Sequence, residues 1–101
     1  MDSTVLRFSF DDGVDFTEAE LTLHLALLAA EGVFGPAEIR VNFAYRAVPE
    51  EACIEIEGGT FVNELIARMF VSLLLNEFGR EAFKVRRMPT MPVNFTTEVA
   101  A

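Results

Sequence analysis

Apolar and polar positions alternate from the start of the chain. Between Thr4 and Phe10, the residues Leu6, Phe8 and Phe10 fall on one side of an extended backbone, and Val5, Arg7 and Ser9 on the other. That period of two predicts a half-buried strand. Asp11-Asp12-Gly13 follows with turn chemistry, because aspartate bonds its own backbone and glycine accepts a positive φ. The period then changes. Thr17 and Glu20 stand three apart as in a capping box, and Phe16 and Leu21 occupy the staple positions. A helix is therefore predicted over 18–31, stopping at Gly32.

Alternation returns over 38–46. Ile39, Val41, Phe43 and Tyr45 share one face, while Glu38, Arg40, Asn42 and Arg46 share the other. After Pro49-Glu50, Ala52, Ile54 and Ile56 point one way and Cys53, Glu55 and Glu57 the other. The two runs predict a hairpin whose apolar faces must agree in parity. Pairing Arg46 with Glu51 meets that condition and sets Arg40 opposite Glu57 and Asn42 opposite Glu55. Each opposite-charge pair adds only about 0.2–1 kcal/mol but opposes a slipped register. Gly58-Gly59 ends the strand. Thr60 then caps a second helix reaching Asn76 or Phe78, with Val62, Ile66, Met69 and Leu73 on one face, Glu64 and Arg68 four apart on another, and Gly79 as the stop. A last short strand is expected over 83–88, with Phe83 and Val85 inward and Lys84 and Arg86 outward.

The predicted order is β-α-β-β-α-β. An α+β two-layer sandwich of ferredoxin-like type is the economical arrangement: a four-stranded antiparallel sheet, two helices on one face, and the strands at 4–10 and 52–57 in the centre. A different small α/β sheet is the alternative. The expectation is one domain over 1–88 and a C-terminal tail over 89–101, frayed or docked on a neighbour.

The helices carry more apolar surface than two layers need. In the first, Leu21, Leu25 and Leu28 make one stripe, and Leu23, Leu27 and Ala30 another on nearly the opposite side. The second is apolar almost all round from Met69 to Leu75. A helix with two apolar faces is normally covered on both, so Leu23, Leu27, Phe70, Leu74 and Leu75 are the candidate interface, with a homo-oligomer (a dimer first) or another protein as the partner. The opposing expectation is that loops and tail cover these faces.

Composition narrows the function. In 101 residues, sixteen Asp and Glu against eight Lys and Arg give a net charge of −8, and 51% of positions are hydrophobic. Such a balance opposes general nucleic-acid binding, which rests on neutralising phosphates, and equally opposes a disordered acidic tail. The apolar run at 69–75 is far shorter than the roughly 20 residues of a membrane span. No basic leader precedes it, and a soluble, cytoplasmic protein is expected. Cys53 is the single cysteine and His24 the single histidine, so neither a disulfide nor a Cys/His metal site can be assembled. Cys53 lies beside Glu55 and Glu57, and carboxylates disfavour a thiolate. Asp11, Asp12 and Asp15 lack the alternation of a calcium loop and suit a solvated turn at a helix start. Glu55, Glu57 and Glu64 could supply an acid–base pair, but the hairpin gives two of them partners. Gly58-Gly59-Thr60 could cradle an anion but lacks the lysine of a P-loop. No catalytic residues, metal or cofactor are assigned. Arg80, Lys84, Arg86 and Arg87 gather half of the basic residues within eight positions, a charge polarity that can orient a partner or block edge-to-edge sheet aggregation.

The segment Phe61-Val62-Asn63-Glu64-Leu65, with Glu77-Phe78-Gly79-Arg80-Glu81-Ala82-Phe83 after it, resembles the STAS-like domains of small bacterial regulatory proteins, in which a strand leads into a helix opening on a similar motif. The Gly58-Gly59 connection departs from the longer loop of that family. The resemblance implies a non-catalytic switch or scaffold acting through protein contacts. The expected function is accordingly a small acidic, non-enzymatic interaction or regulatory module that self-associates. The alternatives are a ferredoxin-like ligand binder or enzyme with its pocket between subunits, and an acidic inhibitor or immunity-type protein.

Overall fold

The computed structural model describes residues 4–89. They form an α+β domain with an open four-stranded antiparallel sheet and three helices: β1 (Thr4–Phe10), α1 (Phe16–Phe34), α2 (Pro36–Asn42), β2 (Tyr45–Val48), β3 (Cys53–Glu57), α3 (Phe61–Phe78) and β4 (Phe83–Pro89), with a 3-10 turn over Pro49–Glu51. The strand order is β2-β3-β1-β4, and every neighbouring pair is antiparallel. β1 and β3 are thus the inner strands.

β1 keeps the expected alternation on its helix side, while Val5, on the opposite face with Arg7 and Ser9, is also buried, against Ala44. Leu6, Phe8 and Phe10 join Ile54 and Ile56 of β3 in one core with Leu23, Ala26 and Ala30 of α1 and Val62, Ile66, Phe70 and Leu74 of α3. Phe8 and Phe70 meet at its centre with rings 4.8 Å apart. The register Leu6↔Ile56 and Phe8↔Ile54 places these side chains in rows across the sheet, so one face of β1 and β3 is buried under the helices.

α1 departs from the expected bounds at both ends. Asp15, not Thr17, is the N-cap: its carboxylate accepts from the Thr17 amide at 3.0 Å and the Glu18 amide at 3.4 Å. A short aspartate side chain fits this role as well as a threonine, and its charge also suits the helix N-terminus. The helix then passes through Gly32 and ends at Gly35, whose φ of 89° suits glycine and whose amide donates to the Glu31 carbonyl at 2.9 Å. An interior glycine costs only about 1 kcal/mol, which the packing of Ala26, Ala30 and Phe34 offsets.

The strand expected over 38–46 is mostly helix. Pro36 takes the first position of α2, where its missing N–H is no loss. Ile39 and Phe43 are four apart, a spacing compatible with one strand face or with one helical turn, and both are buried. Val41 tells the two apart: a strand would bury it with them, but it is 82% exposed on the outer side of the turn. Only Tyr45–Val48 remains extended.

The hairpin forms with its parity intact but its register displaced by four residues. Arg46 lies opposite Glu55, Tyr45 opposite Ile56, and Val48 opposite Cys53. Pro49 starts a 3-10 turn, and Ala52 closes it in the left-handed region (φ 50°, ψ 48°), its amide donating to the Pro49 carbonyl at 3.0 Å. The loop is therefore 49–52. Ala52 and Glu51 lie outside β3, and neither Arg40 nor Asn42 pairs with a glutamate across the sheet.

α3 starts and stops where expected. The Thr60 hydroxyl accepts from the Asn63 amide at 3.1 Å, and Gly79 (φ 93°) is the C-cap. β4 runs one residue beyond the expected end, and Val85, although on the helix side, is exposed because nothing among the described residues covers that edge. The expected tail lies, apart from Pro89, outside the described residues.

Candidate interaction surfaces

The helix period resolves the two leucine stripes of α1. Asp15 and Gly35 fix its ends, and Leu23, Ala26 and Ala30 turn toward the sheet. Leu21, Leu25 and Leu28 are left on the opposite side, 54%, 58% and 64% exposed. With Gly32 they follow a 4-3-4 spacing, the seam of a two-helix contact. Of the five positions expected at an interface, Leu23, Phe70 and Leu74 are fully buried within this chain, Leu27 is half-buried against the same core, and Leu75 is exposed. The apolar stripe that α1 leaves exposed is thus the other one. Its signal was the exposed half of a symmetric pattern, which sequence alone could not orient.

Arg46, Glu55, Arg7 and Arg86 form one row across all four strands on the helix-free face. Glu55 is buried between two guanidiniums. Its Oε1 accepts from Arg46 Nη2 at 2.6 Å and its Oε2 from Arg7 Nη1 at 3.1 Å. Glu51 reaches back over the turn to Arg7 Nη2 at 2.8 Å, and this hydrogen bond, ahead of the neighbouring charges, raises the Arg7 pKa. Cys53 is buried in the adjoining row beside Ser9 and Val48. Burial pushes its thiol upward, against the attraction of Arg7, so it is a poor nucleophile.

The Gly58-Gly59-Thr60 turn holds an anion of the protein's own. Glu64 Oε2 accepts from the Gly59 amide at 3.1 Å, and both carboxylate oxygens accept from Arg87 at 2.9 Å. The Arg87 bond, then the Gly59 amide, lower the Glu64 pKa to about 2 against the cost of burial. Glu64 is therefore tied across to β4 and not to Arg68, the partner four residues along its own helix. A Cβ at Gly58 would come within 2.8 Å of Glu64 Oε2 and 3.0 Å of Thr4 Oγ1, so a larger residue there would push the ion pair aside. Between α3 and β4 this ion pair borders a trough of about 310 Å³, lined also by Leu6, Phe8, Ala67, Val71 and Val85.

The remaining candidates are placed as follows. His24 is exposed and stands edge-on to Tyr45, ring centres 6.1 Å apart. Asp11 and Asp12 are exposed in the turn after β1, and Asp15 is spent on the cap. Glu57 ends β3, its amide donating to the Ala44 carbonyl at 2.9 Å. Arg80 is exposed before β4, and Lys84 and Arg86 lie on the helix-free face of that strand. Among the described residues, no group of three or more His, Cys, Asp or Glu is placed to hold a metal ion, and no helix is long and apolar enough to cross a membrane. Compared with protein-family models, curated proteins and solved structures, the chain matches none.

Proposed function

We propose that this chain is a small non-enzymatic interaction module on a ferredoxin-like sandwich that self-associates through the outer face of α1. The observation that carries the reading is the stripe Leu21, Leu25 and Leu28, more than half exposed on the side of α1 away from its own core. The antiparallel order β2-β3-β1-β4 supports the sandwich, with α2 added to the expected two helices. The resemblance to STAS-like domains points the same way, to a protein that acts through contacts.

A stripe on one helix is complementary to itself when two copies meet across a two-fold axis near Leu25. Fully burying a leucine contributes about 1.5–3 kcal/mol, and these are already half-covered, so the six in a dimer supply roughly 5–9 kcal/mol. Association costs about 4–15 kcal/mol. The seam therefore supports a concentration-dependent equilibrium and not a permanent dimer. Antiparallel packing also brings Glu18 and Glu31 near each other across the seam, so added salt should strengthen association.

Light scattering after size exclusion over a hundredfold concentration range tests this. The expected result is a mass rising from monomer toward dimer, shifted to lower concentration at high salt and abolished by Leu25→Glu with the melting temperature unchanged. A constant monomer mass, or a Leu25→Glu protein that follows the same curve, would overturn the proposal.

A further inference from the structure

We propose that the outer edge of β4 binds an extended peptide segment in which apolar and acidic residues alternate, added as a fifth strand. β4 is seven residues long and ends the strand order, so its second edge has no strand beside it among the described residues. Such an edge offers a row of backbone donors and acceptors to an incoming strand.

The chemistry of that strand follows from the two sides of β4. On the helix side, Val85 is exposed beside the trough, whose α3 wall is Ala67, Arg68 and Val71 and which the Glu64–Arg87 pair borders at one end. A strand laid against β4 would set every second side chain on the helix side, along the open rim of this trough beside Val85 and Val71, which selects small or branched apolar groups. On the other side, Lys84 and Arg86 are exposed, and neither has a hydrogen-bond or ion-pair partner among the described residues. The intervening side chains of the added strand would stand beside these cations, which selects Asp and Glu. Charge alone would suffice to keep an edge unpaired, but it would need no apolar trough along the same edge.

A second copy does not fit. Pairing β4 with itself in antiparallel fashion would set Lys84 and Arg86 against their own counterparts, two cations on each side, which is destabilising. The occupant is a different, acidic segment, drawn to the one described strand of this acidic chain that carries three basic side chains, Lys84, Arg86 and Arg87, and no acid.

The test uses the full chain and a seven-residue acetylated, amidated peptide alternating valine and glutamate, with a valine–lysine peptide as control. In an NMR titration, the glutamate peptide should give saturable shifts along Lys84–Arg87 and at Val71, and the lysine peptide none. Reversing both charges in Lys84→Glu/Arg86→Glu should weaken binding about tenfold, and Val85→Glu should abolish it. Leu25→Glu should leave it unchanged, so this surface and the α1 seam stand or fall separately. Absence of saturable shifts, shifts centred on β2 or α1, or equal binding of the lysine peptide would overturn the proposal.

Discussion

Asn63 is the most exposed weakness in the interior. It is the third residue of α3, its backbone amide is satisfied by Thr60, and its side chain is 1% exposed with neither Oδ1 nor Nδ2 hydrogen-bonded. Each orphaned polar group costs about 1–3 kcal/mol, or roughly 2–6 kcal/mol for the whole amide. Leucine has the same number and branching of side-chain heavy atoms but wider methyl groups, and overpacking takes back about 1–3 kcal/mol. Asn63→Leu is therefore expected to stabilise the fold by about 1–3 kcal/mol, with the melting temperature rising about 4–8 °C per kcal/mol in a chain of this length. Asn63→Ala removes the same orphans without crowding and gives up packing instead, so it should lie near the parent. Urea unfolding followed by circular dichroism, paired with calorimetry, measures both. If both variants lose more than about 1 kcal/mol, the amide is hydrogen-bonded in solution and the reasoning fails.

Two further outcomes follow from the charged groups. Glu64 has a folded pKa of about 2 against an ordinary 4.5, so its contribution to stability is complete above pH 4.5 and is lost as the pH falls toward 2. Arg87→Ala should flatten the loss of stability in that window. Salt should flatten it too, because both side chains are a third to a half exposed; an unchanged acid limb in Arg87→Ala would refute the assignment. Glu55→Ala leaves Arg7 and Arg46 facing each other across β3 and is expected to cost about 3 kcal/mol in urea unfolding, part of it recovered by adding Arg7→Ala. A loss below about 1 kcal/mol would mean the row contributes only as a surface ion pair does.

Local chemistry determined much of this protein. The alternation of β1, the Thr60 cap, the Gly79 stop and the parity of the hairpin are each fixed by neighbouring residues, and the structure repeats them. Where two local solutions were equally good, tertiary packing chose. Ile39 and Phe43 satisfy a strand or a turn of helix, and Pro36 together with the core tipped them to helix. Thr17 and Asp15 could each cap α1, and the chain used the aspartate. A register displaced by four keeps every face the same, so parity could not detect it; the 3-10 turn at Pro49 set it and thereby gave Glu55 its two arginines.

The site surfaces show the same division. That α1 carries two leucine stripes was legible from the helical period, but a period has no inside or outside until a sheet lies against it. The sheet took Leu23, Ala26 and Ala30 and left Leu21, Leu25 and Leu28 to solvent. The Glu64–Arg87 pair joins residues 23 apart in sequence, a contact that exists only because α3 and β4 pack together. Sequence determined which elements could form and which faces were apolar, because those properties depend on residues within a turn or two. Tertiary structure decided which of two equivalent faces was buried and which charge met which, because those choices are made only when distant segments share one core.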